Sequence, residues 1–433
     1  MGLAVSARGA DAPAGTGGGE GPGRGQRAHP FGVTTLTPPA IKRNPGPKYW
    51  PRVRLWQGIP SIACTPGGRL WATWYGGPVG EGEEGNYAVL VTSGDRGKTW
   101  SKPVAVYDPA VFFDGNTSDP HLWADPKGGL WWVVNRALKV GDPRGHRSVW
   151  AFRAKDPENP RTEWEPPVFA GFGVALNKAT VLSTGEWIRP VDTFNSKEPD
   201  ARTQFYRSCD EGRSYEFLSH VAIKDVAFPE HMVVERKDGS LLVLARTAYG
   251  IGKAESFDKG QTWKNEGPFT TERSVNTRFY FGKLTSGSWL LVVNDVPRGR
   301  RNLTAMLSED EGKTWPHKLV LDARDAVSYP DACEGPDGVI SIVHDRGRYL
   351  KGQQEILLSR ITEEDIKAGR PADPRSFLCQ VVCRLADHGG GVHADRETQN
   401  MTKEHEGSAE SLLELEEKKQ RNPQDDAGRG NAG

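Results

Sequence analysis

Four side chains of types that exchange protons or hold anions stand at the ends of apolar, strand-like runs. Glu230 lies in Ala227-Phe-Pro-Glu-His-Met-Val-Val-Glu235, and Arg246 closes Ser240-Leu-Leu-Val-Leu-Ala-Arg246. Arg300 precedes Leu303-Thr-Ala-Met-Leu307, and Tyr329 sits in Val327-Ser-Tyr-Pro-Asp331. Each belongs to a different hairpin, so they form one site only if the fold collects strand ends at a common mouth. Asp119 and His121 in Thr117-Ser-Asp-Pro-His-Leu-Trp123 are secondary candidates, as are Lys178 and Asp192 at comparable positions further on. No His/Asp/Glu set has metal-ligand spacing, so no catalytic metal and no cofactor are expected.

The elements that must position these residues announce themselves by repetition. The pattern Ser-x-Asp-x-Gly-x-Thr/Ser-aromatic occurs at Ser93–Trp100, Ser208–Tyr215, Ser256–Trp263 and Ser308–Trp315. Four copies could be read as four metal or catalytic aspartates, but a chemical site is rarely built four times over. The local physics explains the pattern instead. The Asp carboxylate accepts N–H groups of its own turn, the Gly takes positive φ, and strand-like runs flank each copy. Asp95 and Asp210 are 115 residues apart, Asp210 and Asp258 48, Asp258 and Asp310 52. Propeller blades repeat at about 40–50 residues. A unit without a clean copy is therefore expected near Ala151–Trp164, an opening unit at Ser61–Trp74, and a last one around Val339–Val343 and Glu355–Arg360. The expectation is an all-β, six-bladed propeller over residues 46–372, with the repeated turns away from its mouth.

Composition agrees with many strands and turns: 51 Gly, 31 Pro and 14 Trp, without long apolar helical stripes. Fifty-six basic and 56 acidic residues give zero formal charge, which removes the electrostatic case for nucleic acid. No run approaches the roughly 18 apolar residues of a membrane span. Residues 1–45 are rich in Gly, Ala, Pro and Arg and poor in large apolar groups, so a disordered segment is expected there. Residues 373–433 read as a polar tail with one possible helix at Ser408–Lys419. The start lacks a signal peptide's apolar stretch, which points to a soluble cytoplasmic protein, or to an exported one if the start is truncated, since Ala10-Asp-Ala12 resembles a cleavage tripeptide. The five cysteines are odd in number and show no zinc spacing, so free thiols are expected. Nothing in the sequence fixes an oligomeric state.

Over roughly residues 50–370 the chain resembles the sialidase superfamily, specifically bacterial propellers with Asp-box repeats. The order and spacing of Glu230, Arg246, Arg300 and Tyr329 carry the resemblance. It implies an exo-glycosidase acting on a terminal acidic sugar. The sugar carboxylate would be held by the forks of Arg246 and Arg300, with Asp119, His121 and Lys178 as further substrate contacts. Tyr329 would attack the anomeric carbon, because a carboxylate nucleophile is repelled by the sugar's own anion, and Glu230 would take the phenol proton. The chain departs from the family in two places. The opening Arg-Ile-Pro reads Gly58-Ile59-Pro60, so one clamp arginine is replaced by glycine, and restoring it by Gly58→Arg is expected to raise affinity for sialosides. The loop that normally carries an acidic Asp holds Glu81, Glu83 and Glu84 instead, and Glu84, nearest the following strand, is the expected proton donor. Sialic acid and other acidic sugars both fit. A uronic-acid lyase or glycosidase with a His or Tyr base is the alternative marked by His121 or His231 facing the mouth beside Tyr329, and a non-catalytic sugar-binding propeller is favoured if all three glutamates point to solvent.

Overall fold

A computed structural model describes residues 36–385, with breaks at 112–114, 139–146, 194–202, 227, 229, 270–274 and 351–353. The described residues form six antiparallel sheets, each built from strands consecutive in sequence, arranged as a six-bladed β-propeller. From the inside outward, blade 1 runs Trp56–Cys64, Leu70–Gly77, Tyr87–Ser93, Ala105–Tyr107, with Lys42–Arg43 added at its outer edge. Blade 2 runs His121–Ala124, Leu130–Leu138, Arg147–Arg153, Val168–Phe172, and the short strand Gly115–Asn116 also pairs with its second strand. Blade 3 comprises Thr180–Val181, Trp187–Asp192, Thr203–Ser208 and Glu216–Val221. Blade 4 comprises Met232–Glu235, Leu241–Thr247, Gly250–Ser256 and Lys264–Pro268. Blade 5 comprises Tyr280–Lys283, Trp289–Asn294, Leu303–Ser308 and His317–Asp322. Blade 6 comprises Val327–Glu334, Ile340–Arg346, Glu355–Ile361 and Phe377–Arg384.

Each blade is too thin to bury its own faces, so the core lies between blades. Leu122, Trp132 and Trp150 of blade 2 meet Trp71 and Leu90 of blade 1. Val233 and Val243 of blade 4 meet Ile188 and Phe205 of blade 3. Leu290 and Leu307 of blade 5 meet Ile340 and Ile342 of blade 6. The ring closes without a shared strand: Ile62 and Leu70 of blade 1 pack on Val343 and Leu358 of blade 6.

The repeated turns join third to fourth strands. In the Asp258 copy, the carboxylate accepts from the Thr262 N–H at 2.9 Å and the Thr262 hydroxyl at 2.6 Å, and the Ser256 hydroxyl donates to it at 2.8 Å. The other three copies make the same bonds. Blades 2 and 6 lack a clean copy; in blade 2 the third and fourth strands are joined through Ala154–Trp164, with the Asp156 N–H bonded to the Thr162 hydroxyl.

Two expected boundaries shift. Phe377–Arg384, assigned to the tail, is the outer strand of blade 6. Its register bulges between Ile356 and Leu357 and between Leu358 and Arg360, which blurs its alternation. The helix Glu363–Ala368 precedes it, capped by Thr362 and Asp365 and closed by Gly369 at φ 67°. Lys42–Arg43, placed in the N-terminal segment, pairs with Ala105–Val106. Residues 1–35 and the Ser408–Lys419 stretch lie outside the described residues. Among the described residues no helix is long and apolar enough to cross a membrane.

Candidate active site

Chain direction decides which residues can meet. With antiparallel strands, the starts of first strands, the ends of second strands and the second-to-third connections share one end of the ring. The Asp-box turns, after third strands, fall at the other end. Glu230 and Tyr329 open first strands, Arg246 closes a second strand, and Arg300, Arg348 and Glu81 lie in second-to-third connections.

The backbone at this end is bent in a repeated way. Ile59, Asp119, Glu230 and Tyr329 all take positive φ, at 58°, 48°, 40° and 56°. Three of them precede a proline, Pro60, Pro120 and Pro330, which cannot donate to the ladder. The pairing slips between Gly58 and Ser61 and between Ser328 and Asp331. Non-glycine residues in this region cost about 1–3 kcal/mol each and cluster at functional sites. Here the bulges break the strict in–out alternation of the first strands.

The result is a compact set of contacts. The Tyr329 hydroxyl donates to Glu230 Oε1 at 2.7 Å. Arg246 Nη1 donates to Glu230 Oε1 and Oε2 at 3.2 and 3.1 Å and to the Tyr329 hydroxyl at 3.0 Å. Asn276 holds the Arg246 Nε at 2.6 Å. The guanidiniums of Arg300 and Arg348 lie 5.4 and 4.1 Å from the centre of the Tyr329 ring. Trp56, Ile59 and Tyr75 pack with the same ring as an apolar wall. Burial and then the Glu230 charge push the Tyr329 hydroxyl above its usual range, while Arg246, Arg348 and Arg300 pull the other way. The free site therefore holds a neutral phenol that donates to Glu230.

Glu230 is itself held. Its N–H bonds Asp192 Oδ2 at 3.1 Å, and its carbonyl accepts from Asn177 at 2.8 Å. Asp192 also lies 2.9 Å from His231 Nδ1. Arg278, a residue the sequence reading did not single out, fixes Asn177 through bonds of 2.7 and 3.1 Å.

The other candidates separate. Asp119 is buried, and desolvation, aided by the Glu81 and Glu230 charges against the opposing effects of Ser118 and Arg278, raises its carboxyl to about 7. His121 faces the Ala175 carbonyl at 3.0 Å and Arg189 at 3.1 Å. His231 contacts Asp192 and the Gln204 carbonyl. Neither ring is bonded to Tyr329 among the described residues, so the feature that would mark the lyase reading is not seen. Lys178 pairs with Asp331, which also accepts from the Ser61 hydroxyl at 2.5 Å and the Ile62 N–H at 2.9 Å, so Lys178 ties inner strands together. Glu84, the expected proton donor, is exposed, and the glutamate of that loop that reaches Arg348 and the Tyr349 hydroxyl is Glu81. Three residues apart on a glycine-rich loop, the two could not be told apart by spacing.

Arg348 gave no sequence signal either, because it stands in a turn with no motif. Asp322, His344 and Cys379, far apart in sequence, bring ligand-type atoms within 4.8 Å of one another. Their polar atoms are largely spent internally: Arg324 forks Asp322 at 2.9 and 2.7 Å, and the Cys379 thiol lies 3.2 Å from the Leu321 carbonyl. The five cysteines are free.

A six-bladed propeller with Asp-box turns and a Tyr–Glu–Arg cluster at its mouth defines a sialidase-like class of protein. Residues 68–342 match the family model described as "BNR repeat-like domain", and the chain belongs to that family. It is 24% identical over 343 residues to a sialidase of Micromonospora viridifaciens, covering 68% of this chain and 50% of that protein. The chain thus spans about half the length of that relative. Among solved structures it resembles the Hadza microbial sialidase Hz136 (TM-score 0.56, 19% identity, covering 69% of this chain and 66% of that one). It also resembles the intramolecular trans-sialidase of Ruminococcus gnavus (TM-score 0.55, 15% identity, covering 79% and 99%). A Dyadobacter fermentans protein of unknown function is as similar in fold (TM-score 0.57, 16% identity, covering 71% and 95%).

Proposed function

We propose that this protein is a sialidase-like exo-glycoside hydrolase that cleaves a terminal acidic sugar by way of a Tyr329–sugar intermediate. The observation that carries the reading is the 2.7 Å bond from the Tyr329 hydroxyl to Glu230, with Arg246 donating to both oxygens' owners. A phenol alone is a poor nucleophile near neutral pH. Glu230 accepts its proton as Tyr329 Oη bonds to the anomeric carbon, and Arg246 stabilises the negative charge that Tyr329 Oη gains as its proton leaves.

The leaving oxygen must receive a proton as its bond to the anomeric carbon breaks. Asp119, raised to about 7, is the carboxyl that still holds one near neutrality. In the second half of the reaction Asp119 takes a proton from water, whose oxygen displaces Tyr329. Glu230 then returns the first proton to the phenolate, and the free sugar leaves. Arg246 and Arg300 present guanidiniums to the sugar carboxylate.

The test is a panel of aryl glycosides containing a sialoside, a glucuronide, a galacturonide and neutral hexosides. Turnover of an acidic member with none of the neutral ones supports the proposal. Turnover of neutral hexosides only, or of none, would overturn it.

A further inference from the structure

Gly58 stands where the resembling family places a carboxylate-binding arginine, and the space beside it is filled. A Cβ built on Gly58 would overlap Arg348 Cδ, and would lie 2.9 Å from Arg348 Cγ and 3.2 Å from Asp345 Oδ2. The glycine is thus the condition for Arg348 to cross from blade 6 into blade 1's part of the mouth. Asp345 anchors the crossing: it accepts from the Ile59 N–H at 2.9 Å and the Ser328 hydroxyl at 2.9 Å, and lies 3.7 Å from Arg348 Nη1.

Arg348 is only 2% exposed, and its Nε and Nη2 have no hydrogen-bond partner among the described residues. Leaving donors of a buried cation unmade is costly, so such groups mark a place for an acceptor. The acceptor now nearest is a carboxylate of the protein itself, Glu81 Oε1, 3.5 Å from Arg348 Nη1. That contact is long for a charge-assisted bond. Glu81 rides on the connection between Gly77 and Tyr87, which bends through Gly82 and Gly85 at φ 74° and 82°.

Resting on the hydrolase reading above, we infer that Arg348 supplies the third carboxylate-binding guanidinium from a different blade, and that Glu81 is its resident counter-ion, displaced when an acidic sugar binds. The clamp is then Arg246, Arg300 and Arg348, all within reach of Tyr329. Three consequences follow. Removing Arg348 weakens acidic ligands. Removing the Glu81 charge strengthens them, since a competitor is lost. Gly58→Arg by itself does not strengthen binding, contrary to the expectation from sequence, because the new side chain meets Arg348.

The experiment is calorimetric titration of the full chain with the 2,3-unsaturated derivative of N-acetylneuraminic acid, which carries the carboxylate on a flattened ring. Arg348→Gln should weaken binding roughly ten- to a hundredfold, the worth of a lost charge-assisted bond. Glu81→Gln, on a partly exposed side chain, should tighten it several-fold. Gly58→Arg combined with Arg348→Gly should bind within a few-fold of wild type, while Gly58→Arg alone should bind more weakly. Unchanged affinity in Glu81→Gln, or in a folded Arg348→Gln with Arg300→Gln still impaired, overturns the Arg348 assignment and leaves the hydrolase reading standing. Absence of binding by the wild type, with uronic-acid glycals also failing, overturns both.

Discussion

The hydroxyl of Tyr329 is useful only because of what touches it. Its ring is clamped by Trp56, Ile59 and Tyr75, so removing the oxygen leaves the packing in place. Tyr329→Phe should therefore keep the melting temperature within a few degrees while kcat falls on the order of a thousandfold or more. A folded variant retaining more than about a tenth of kcat would remove Tyr329 as nucleophile. Asp119 carries a second prediction, and its sign can be worked out. Burial raises its carboxyl from 3.8 to about 7, so the folded state binds this proton more tightly than the unfolded chain does. Its contribution to stability is then greatest below pH 3.8 and declines as pH rises towards about 7. Asp119→Asn, which stays neutral, should melt above wild type at pH 8, with the gap closing towards pH 4 by differential scanning calorimetry. The same variant should lose activity on substrates with poor leaving groups while sparing nitrophenyl glycosides, whose leaving oxygen needs little protonation. A gap that does not change with pH would contradict the buried-acid assignment.

At the scale of elements, the Asp boxes are fasteners. Asp258→Ala deletes bonds to Thr262 and Ser256 at the end opposite the mouth, and should cost about 1–3 kcal/mol of stability without changing kcat. Thermal melting alongside a rate assay checks both halves, and a large fall in kcat in the folded variant would contradict the placement of the box. The boxes were legible in sequence because each is a complete local motif, and their period counted the blades. Glu230, Arg246, Arg300 and Tyr329 were legible because each sits at an identifiable strand end. Arg348 was not, nor was its pairing with Glu81, since the two meet across blades 6 and 1, 267 residues apart in sequence. Asp119 was found by position but its role was not. Its burial, which raises its carboxyl to about 7, depends on neighbouring elements that only the fold brings together. The partners of His121 and Lys178 were hidden for the converse reason: strand-end position does not reveal that Arg189 and the Ala175 carbonyl face the one ring and that Asp331 pairs with the other side chain.

For the whole molecule, ring closure is the weak point of an architecture in which no strand is shared between first and last blades. Phe377–Arg384 completes blade 6 and reaches blade 1, where Gln380 donates to the Gly97 and Lys98 carbonyls at 2.9 and 2.8 Å and Cys383 packs with Ala72 and Trp74. A chain ended at residue 372 should melt well below one ended at 385, and should lose activity with it, because Gln57 and Arg54 at the start of blade 1 lean on Cys383. Equal melting temperatures would show that the closure lies elsewhere. The closed ring is what holds Tyr329 of blade 6 against Glu230 of blade 4, and the proposed nucleophile can be identified by the bond it forms. The most direct measurement is to incubate the protein with the 2,3-difluoro derivative of the acidic sugar it turns over, whose fluorine slows breakdown of a covalent intermediate, and to map the adduct by mass spectrometry of a protease digest. A glycosyl adduct on Tyr329 is expected. An adduct on Glu230, Asp119 or Glu81, or stoichiometric inhibition with no adduct, would contradict the Tyr329 mechanism.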